Sequence, residues 1–273
     1  MLYRTYIPGP PLGRLVESLW LYEGDNLPHG KERVLPDGAM NLIINLREDK
    51  LRVYCRQDYG ECQTFRGSLL SGAHSEFVVI DTACLETVMG VHFRPGGAFP
   101  FFRSPGNELR DTQVSLDALW GSRAAGLRDR LLEAKTAEEK FRILERTLLA
   151  RAARPLMGHP AVGFALRELQ CVPHTRTISE VRRQIGLSPR RFIEAFSEEV
   201  GLTPKLFCRI RRFQRVLRAM RSGRRIEWAD IALSCGYFDQ PHFIHDFRSF
   251  SGMNPTAYLA HCGEYANHVP IPD

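Results

Sequence analysis

One pattern constrains this chain more than any other, and it occurs twice. Its first copy carries Gly186, Phe192, Phe196, Gly201 and Pro204; the second carries Gly236, Phe243, Phe247, Gly252 and Pro255. The Phe–Phe, Phe–Gly and Gly–Pro spacings are identical in the two copies. Each copy reads as helix, tight turn, helix. Thr177-Ile-Ser-Glu180 is a capping box that opens a helix. Gly186 ends that helix in the left-handed region. Ser188-Pro189 then restarts the chain as N-cap plus N1 proline, and Thr203-Pro204 and Asn254-Pro255 repeat the device. Asp239 caps the corresponding helix of the second copy, with Pro241 in its first turn. Phe192 and Phe196 lie one turn apart and face a core. Two helices across a glycine turn form a helix-turn-helix, a motif also found in plain bundles.

Charge favours nucleic acid. Residues 1–150 hold 19 Lys+Arg against 20 Asp+Glu; the remainder hold 18 against 11, and 17 of those 18 are arginine. Arginine is the residue suited to phosphate and guanine. Between the copies, Leu206, Ile210, Phe213, Leu217 and Met220 recur at helical spacing as a buried stripe. Arg211, Arg215 and Arg218 form a second stripe, surrounded by Arg209, Arg212, Arg221, Arg224 and Arg225. With no acid between Lys205 and Arg225, phosphate contact is expected from this helix, Arg211 and Arg215 included.

At these residues the chain resembles the AraC/XylS family of bacterial transcription regulators. The likeness runs through Ile178-Ser-Glu-Val, Gly186-Leu-Ser-Pro-Arg-Arg-Phe, Val200-Gly-Leu-Thr-Pro204, Asp230-Ile-Ala232, Gly236-Tyr-Phe-Asp-Gln-Pro-His-Phe243, Phe247-Arg248 and Gly252-Met-Asn-Pro255. The resemblance implies an all-α DNA-binding domain of seven helices over about 161–265, with helix-turn-helix units near 177–198 and 227–250. Each unit would present one helix to the major groove. It places base contacts at Arg190, Ile193 and Glu194 in the first unit and at Gln240, Pro241, Ile244 and His245 in the second. Arg190 suits guanine, Glu194 cytosine N4, Ile193 a thymine methyl and Gln240 adenine. Arg248 is a candidate phosphate contact. One position departs from the family: Arg182 stands where a small residue is usual, while the second unit keeps Ala232. Arg182 must snorkel outward or hold the helices apart.

The first 115 residues read as short strands and turns. Met40–Leu46, Phe77–Ile80 and Val88–Arg94 are strand candidates, and the spacing suggests an all-β sandwich or barrel. Glu17-Ser-Leu-Trp20, Leu35-Pro-Asp-Gly38 and Gly90-Val-His-Phe-Arg-Pro-Gly-Gly97 resemble the N-terminal domain of a group of AraC-type regulators. That resemblance implies a cupin-like domain that binds an effector and dimerises. The fold expected overall is therefore α+β and multidomain. Residues 116–152 form a helical hairpin, a dimerisation element by the same resemblance, and 153–160 form a linker with Pro155, Gly158 and Pro160.

Trp20, Tyr22, Asn41, Asn45, His92 and Arg94 are the candidates for contacting a small molecule of unread chemistry. His29, His74 and His92 stand alone without the paired histidines and glutamate of a metal-binding cupin, so neither metal nor cofactor is expected. No hydrolase, nucleotide or metalloprotease motif occurs, and none of Cys55, Cys62, Cys84, Cys171, Cys208, Cys235 or Cys262 sits in an active-site pattern; no enzyme is expected. A membrane helix needs roughly 20 apolar residues, and no such run exists. An odd number of cysteines and a leader-free N-terminus fit the cytoplasm. The expected partners are double-stranded DNA, RNA polymerase, a second copy of the chain and an effector. The competing function is a DNA-binding regulator whose first domain binds protein instead.

Overall fold

The structure is a computed structural model that describes residues 2–24, 30–83, 85–171, 177–221, 227–263 and 265–271. His29, Cys84, Arg224, Arg225 and the side chain of Cys171 lie outside the described residues. The N-terminal part contains β1 (Leu2–Tyr6), β2 (Val16–Glu23), β3 (Lys31–Val34), β4 (Asn41–Asn45), β5 (Leu51–Tyr54), β6 (Cys62–Phe65), β7 (Ser68–Ser71), β8 (Val78–Asp81), β9 (Thr87–Phe93) and β10 (Gln113–Ser115). Helices α1 (Leu116–Trp120), α2 (Ser122–Glu133) and α3 (Ala137–Arg151) follow. Seven more helices are described: α4 (Pro160–Cys171), α5 (Ile178–Ile185), α6 (Pro189–Val200), α7 (Pro204–Met220), α8 (Trp228–Cys235), α9 (Gln240–Ser251) and α10 (Pro255–His261). The last described element is a strand, β11 (His268–Ile271).

The strands make two antiparallel sheets. One has the order β1-β2-β9-β4-β7-β10, the other β11-β3-β8-β5-β6. Strand alternation divides the six-stranded sheet into two unlike faces. Leu19, Leu21, Leu42, Ile44, Met89, Val91 and Phe93 point one way and are buried with Trp120, Leu127, Phe141 and Leu144 of the helical segment. Tyr6 stacks on Phe141 and Phe102 on Trp120, on this same side. The other face looks toward the five-stranded sheet across a small apolar cluster of Leu51, Phe65 and Leu69. The sandwich gap is thus the thinner core, and the helical hairpin covers the thicker one.

The hairpin follows from local rules. Thr136 and Glu139 form a complete capping box at the start of α3. The Lys140 ammonium donates to the Leu131 and Ala134 carbonyls at 2.5 and 2.7 Å, closing the C-terminal end of α2. Leu132 and Leu149, large apolar side chains of α2 and α3, remain exposed at 44% and 43%.

The segment after α3 is fastened at both ends. The Arg154 guanidinium donates to the Phe99, Phe102 and Arg103 carbonyls and lies 4.0 Å over the Phe99 ring. Glu199 of α6 accepts from the His159 amide at 2.5 Å. Burial raises the Glu199 carboxyl above the usual range, and the His159 amide opposes that.

Candidate nucleic-acid interface and sensor face

Both helix-turn-helix units form as their caps dictate. Thr177 and Glu180 complete a capping box, Ser188 accepts from the Arg191 amide and Asp239 from the His242 amide. Gly186, Gly201, Gly236 and Gly252 all adopt the left-handed region, with φ between 71° and 88°. Phe192 and Phe196 are buried edge to face, and so are Phe243 and Phe247. Arg182 is half-buried, whereas its counterpart Ala232 is fully buried.

The outer face of α6 carries Arg190, Ile193 and Glu194, all exposed. Arg190 Nε lies 2.7 Å from Glu194 Oε1, and this hydrogen bond raises the arginine's pKa. On α9, Pro241, His245 and Arg248 are exposed, while Gln240 and Ile244 are half-buried. The positions picked out on each helix therefore share one accessible side. Two exposed apolar residues that the sequence reading passed over, Leu233 and Phe238, stand beside the second unit's turn at 62% and 86% exposure.

Helix α7 is deeply embedded. Leu206 is half-buried, and Phe207, Ile210, Phe213, Gln214, Val216 and Leu217 are buried. Arg209 Nη2 meets Asp246 Oδ1 of α9 at 2.6 Å, and Arg212 Nη2 lies 3.9 Å from Oδ2 of the same carboxylate. Arg212 also donates to the Gly236 carbonyl at 3.4 Å and lies over the Tyr237 ring. These two arginines hold the second unit together. Arg211 is half-buried and turned to the N-terminal domain. Burial lowers its pKa most and Arg218 adds to that, while Asp37 and Glu17 act in the opposite sense. Arg215 is half-buried on the same helix.

The N-terminal domain packs closely on this helical part. A Cβ placed on Gly38 would lie 3.2 Å from the Phe207 ring. Gln214 Nε2 donates to the Pro36 carbonyl at 2.8 Å and to Asn267 Oδ1 at 2.9 Å. Strand β11 brings the chain's end back as an edge strand on β3, with Val269 fully buried. Tyr258 of α10 donates to the Ala266 carbonyl along this return.

The six ligand candidates are not equivalent. Trp20, Tyr22, Asn41, Asn45 and His92 share the sheet face that looks into the gap, while Arg94 lies beyond the strand, exposed, with Nε on the Gly13 carbonyl. Trp20 covers Gly90 so closely that a Cβ there would lie 2.3 Å from its ring. Asn45 is spent on a turn: its Oδ1 accepts from the Arg47 and Glu48 amides and its Nδ2 donates to the Lys50 carbonyl. His92 Nδ1 lies 2.6 Å from Asn41 Oδ1, and its Nε2 lies 3.4 Å from Asp37 and 3.7 Å from Glu17.

Cross-strand register extends this into a polar rung. Ser18, His92, Asn41, Ser71 and Gln113 are successive partners on neighbouring strands of the sheet. At its far end His74 Nε2 lies 2.9 Å from Ser71 Oγ and 3.0 Å from Gln113 Nε2. Burial pushes the His74 imidazole down to about 4, against the pull of Asp111, so it is neutral at pH 7. There the gap opens into a cavity of about 220 Å³ lined by His74, Gln113, Asp111, Arg56, Phe77 and Val53 among others. Sequence reasoning missed this cavity because its residues come from β5, the β7–β8 connection and β10, and only cross-strand pairing joins them. Among the described residues, no group of three or more His, Cys, Asp and Glu side chains is placed to hold a metal ion, and no helix is long and apolar enough to cross a membrane.

Two family models match separate parts of the chain. Residues 4–115 match the model of a domain of unknown function (DUF6597), and residues 182–261 match that of a helix-turn-helix domain. No curated protein matches. Among solved structures the chain is similar to ToxT from Vibrio cholerae in its P21 crystal form, at 7% identity and TM-score 0.47, covering 95% of this chain and 98% of that one. It is also similar to unsaturated fatty acid-bound ToxT, at 10% identity and TM-score 0.47, over 88% of this chain and 94% of that one. At such identities and scores the likeness decides nothing about how this chain works.

Proposed function

We propose that this chain, which joins a DUF6597 domain to an AraC-type helix-turn-helix domain and is a DNA-binding regulator of that type, is sequence-specific and effector-responsive. The observation that carries this reading is the pair of helices α6 and α9. Each is capped, each buries the repeat's pair of phenylalanines (α9 buries Phe250 as well), and each keeps one side accessible. Two such helices on one chain suit successive major-groove turns, about 10 bp apart on one DNA face. Arg190, Ile193 and Glu194 then read one half of the site, and Gln240, Pro241, Ile244 and His245 the other. Arg248 and Arg215 contact phosphate. Arg211 reaches phosphate only when α7 leaves the acidic side chains of Asp37 and Glu17.

The N-terminal domain, residues 1–115, is the sensor in this reading. Its polar rung and the half-open cavity at its end favour a small molecule over a protein partner, since the rung runs across one sheet and the cavity is a recess of about 220 Å³. The hairpin at 116–152 and the segment 153–160 join the sensor to the DNA-binding part at 161–265. A second copy of the chain, meeting Leu132 and Leu149, and RNA polymerase are the remaining partners, and the cytoplasm is where they would meet.

The test is fluorescence anisotropy of the intact chain on its own upstream DNA and on scrambled DNA across a salt series. A preference of about 10³ or more with a steep salt slope supports a specific regulator. Absence of binding to both DNAs at low salt overturns the reading.

A further inference from the structure

The β7–β8 connection touches both recognition helices at the same place on each, their C-terminal glycine. At Gly201, which ends α6, a Cβ would lie 3.2 Å from Ala73 Cβ, 3.1 Å from the Gly106 carbonyl oxygen and 3.0 Å from Met40 Cε. At Gly252, which ends α9, a Cβ would lie 2.5 Å from the Phe77 ring. Ala73 and Phe77 are the two ends of one short loop. Between them His74 roofs the cavity, Ser75 donates to Asp111 from its amide and hydroxyl at 2.6 and 2.8 Å, and Glu76 is ion-paired with Arg56. The loop that seats the reading helices is therefore also a wall of the sensor's cavity.

The chemistry of that wall selects an anion. Arg56 lines the cavity 6.0 Å over the Phe77 ring and is ion-paired with Glu76, Arg33 lies 5.5 Å over the same ring from outside the lining, and the lining carboxylate Asp111 already accepts from the Ser75 amide and hydroxyl. Arg33 donates to Tyr59, and its Nε is buried without a hydrogen-bond partner among the described residues. The Arg56–Glu76 pair is partly exposed, at 35% and 45%, so exchanging one carboxylate for another costs little. Gln113 and the neutral His74 supply hydrogen bonds deeper in, and Val53 and Phe77 supply apolar wall. At about 220 Å³ the space is below the roughly 300–1,000 Å³ of drug-sized sites, so the ligand is small.

We infer that this cavity takes a small mono- or dicarboxylate of two to six carbons, which replaces Glu76 on Arg56 and thereby releases the 73–77 loop from under α6 and α9. The inference rests on the effector-responsive reading and names its site, its ligand class and the element that carries the signal. Removing the competing carboxylate imitates the ligand, and removing the guanidinium destroys the site. A ligand that binds the two loop positions unequally shifts their populations and with them the seats of both helices.

The test uses the intact chain with acetate, succinate and adipate as probes in ligand-observed NMR, and hydrogen exchange as the second readout. Binding of at least one probe to the wild type is expected, strengthened by about threefold or more in Glu76→Gln and lost in Arg56→Gln, whose melting curve reports whether it folds. Exchange should rise at residues 73–77 and at the C-terminal turns of α6 and α9 both on probe binding and in Glu76→Gln without a probe. No probe binding, or equal binding by wild type and a folded Arg56→Gln, overturns the assignment. So does exchange confined to the loop. A wild type that prefers its upstream DNA while failing these tests loses the site but keeps the regulator; a wild type without DNA preference loses the regulator whatever the cavity holds.

Discussion

The two helix-turn-helix units repeat their spacing but not their surroundings. In the second, the buried carboxylate of α9, Asp246, is gripped by Arg209 and Arg212 of α7. In the first, the buried carboxylate of α6, Glu199, takes the His159 backbone amide from the segment that leads in from the N-terminal part. The second unit is therefore bound to the long helix by charge, the first to the N-terminal side by packing and the Glu199–His159 hydrogen bond. A duplicated motif fixes the form of each unit, and the contacts around it set what each unit responds to.

The largest effect comes from breaking the stronger grip. Asp246→Ala leaves two mostly buried guanidinium groups without their carboxylate, and roughly 2–4 kcal/mol of stability should be lost in denaturant melts. Glu199→Gln keeps an acceptor for the His159 amide and should cost well under half as much. Equal losses would mean that the units are held alike and would break the comparison.

On DNA the units should part by base instead of by strength. Arg190→Ala and Gln240→Ala are each expected to cost about 1–3 kcal/mol on the specific site and little on random DNA, read by anisotropy. Each loss should map to a different half of the site. Equal weakening on both DNAs would refute the base contacts.

These differences explain what was legible in the sequence. Caps, left-handed glycines and paired phenylalanines act within a few residues, so Thr177, Ser188, Gly201 and Asp239 do in the structure what their spacing predicts. The gripping of Asp246 by Arg209 and Arg212 joins residues 34 or more apart, and a run of arginines reads equally well as a phosphate stripe. The N-terminal domain was legible as strands at 40–46, 77–80 and 88–94, which the structure has at 41–45, 78–81 and 87–93, yet its polar rung depends on strand order, which no local pattern carries. His74 stands alone in the sequence and is joined to Ser71 and Gln113 only through that order.

His74 lies between the two seats, and pH tests whether both depend on it. Burial, the largest cause, depresses its folded pKa from 6.5 to about 4, with Arg56 adding to the shift and Asp111 opposing it. The unfolded chain takes up this proton as pH falls below about 6.5 and the folded chain resists until about 4, so stability is present above this window and declines through it. Between pH 7 and 5 the loss should be roughly 2 kcal/mol, and His74→Gln should remove that part of the pH dependence in urea melts. A slope unchanged in the variant would assign the acid sensitivity to other groups.

The smallest effect concerns how each unit begins. Helix α5 starts with the full Thr177–Glu180 capping box, whereas α8 starts at Glu227 with no side-chain hydrogen bond to its first turn. The first four amides of a helix lack intrahelical partners, so the two starts differ by what a hydroxyl acceptor supplies. Thr177→Ala should therefore lower stability by about 1 kcal/mol, while Glu227→Ser should raise it by a few tenths up to that amount. Hydrogen exchange at the first turns of α5 and α8 locates each change. If Glu227→Ser gains nothing, the start of α8 is set by packing of the half-buried Trp228 on Phe243, whose rings stack at 6.0 Å, and the units differ in kind at their first turn as they do in their buried carboxylates.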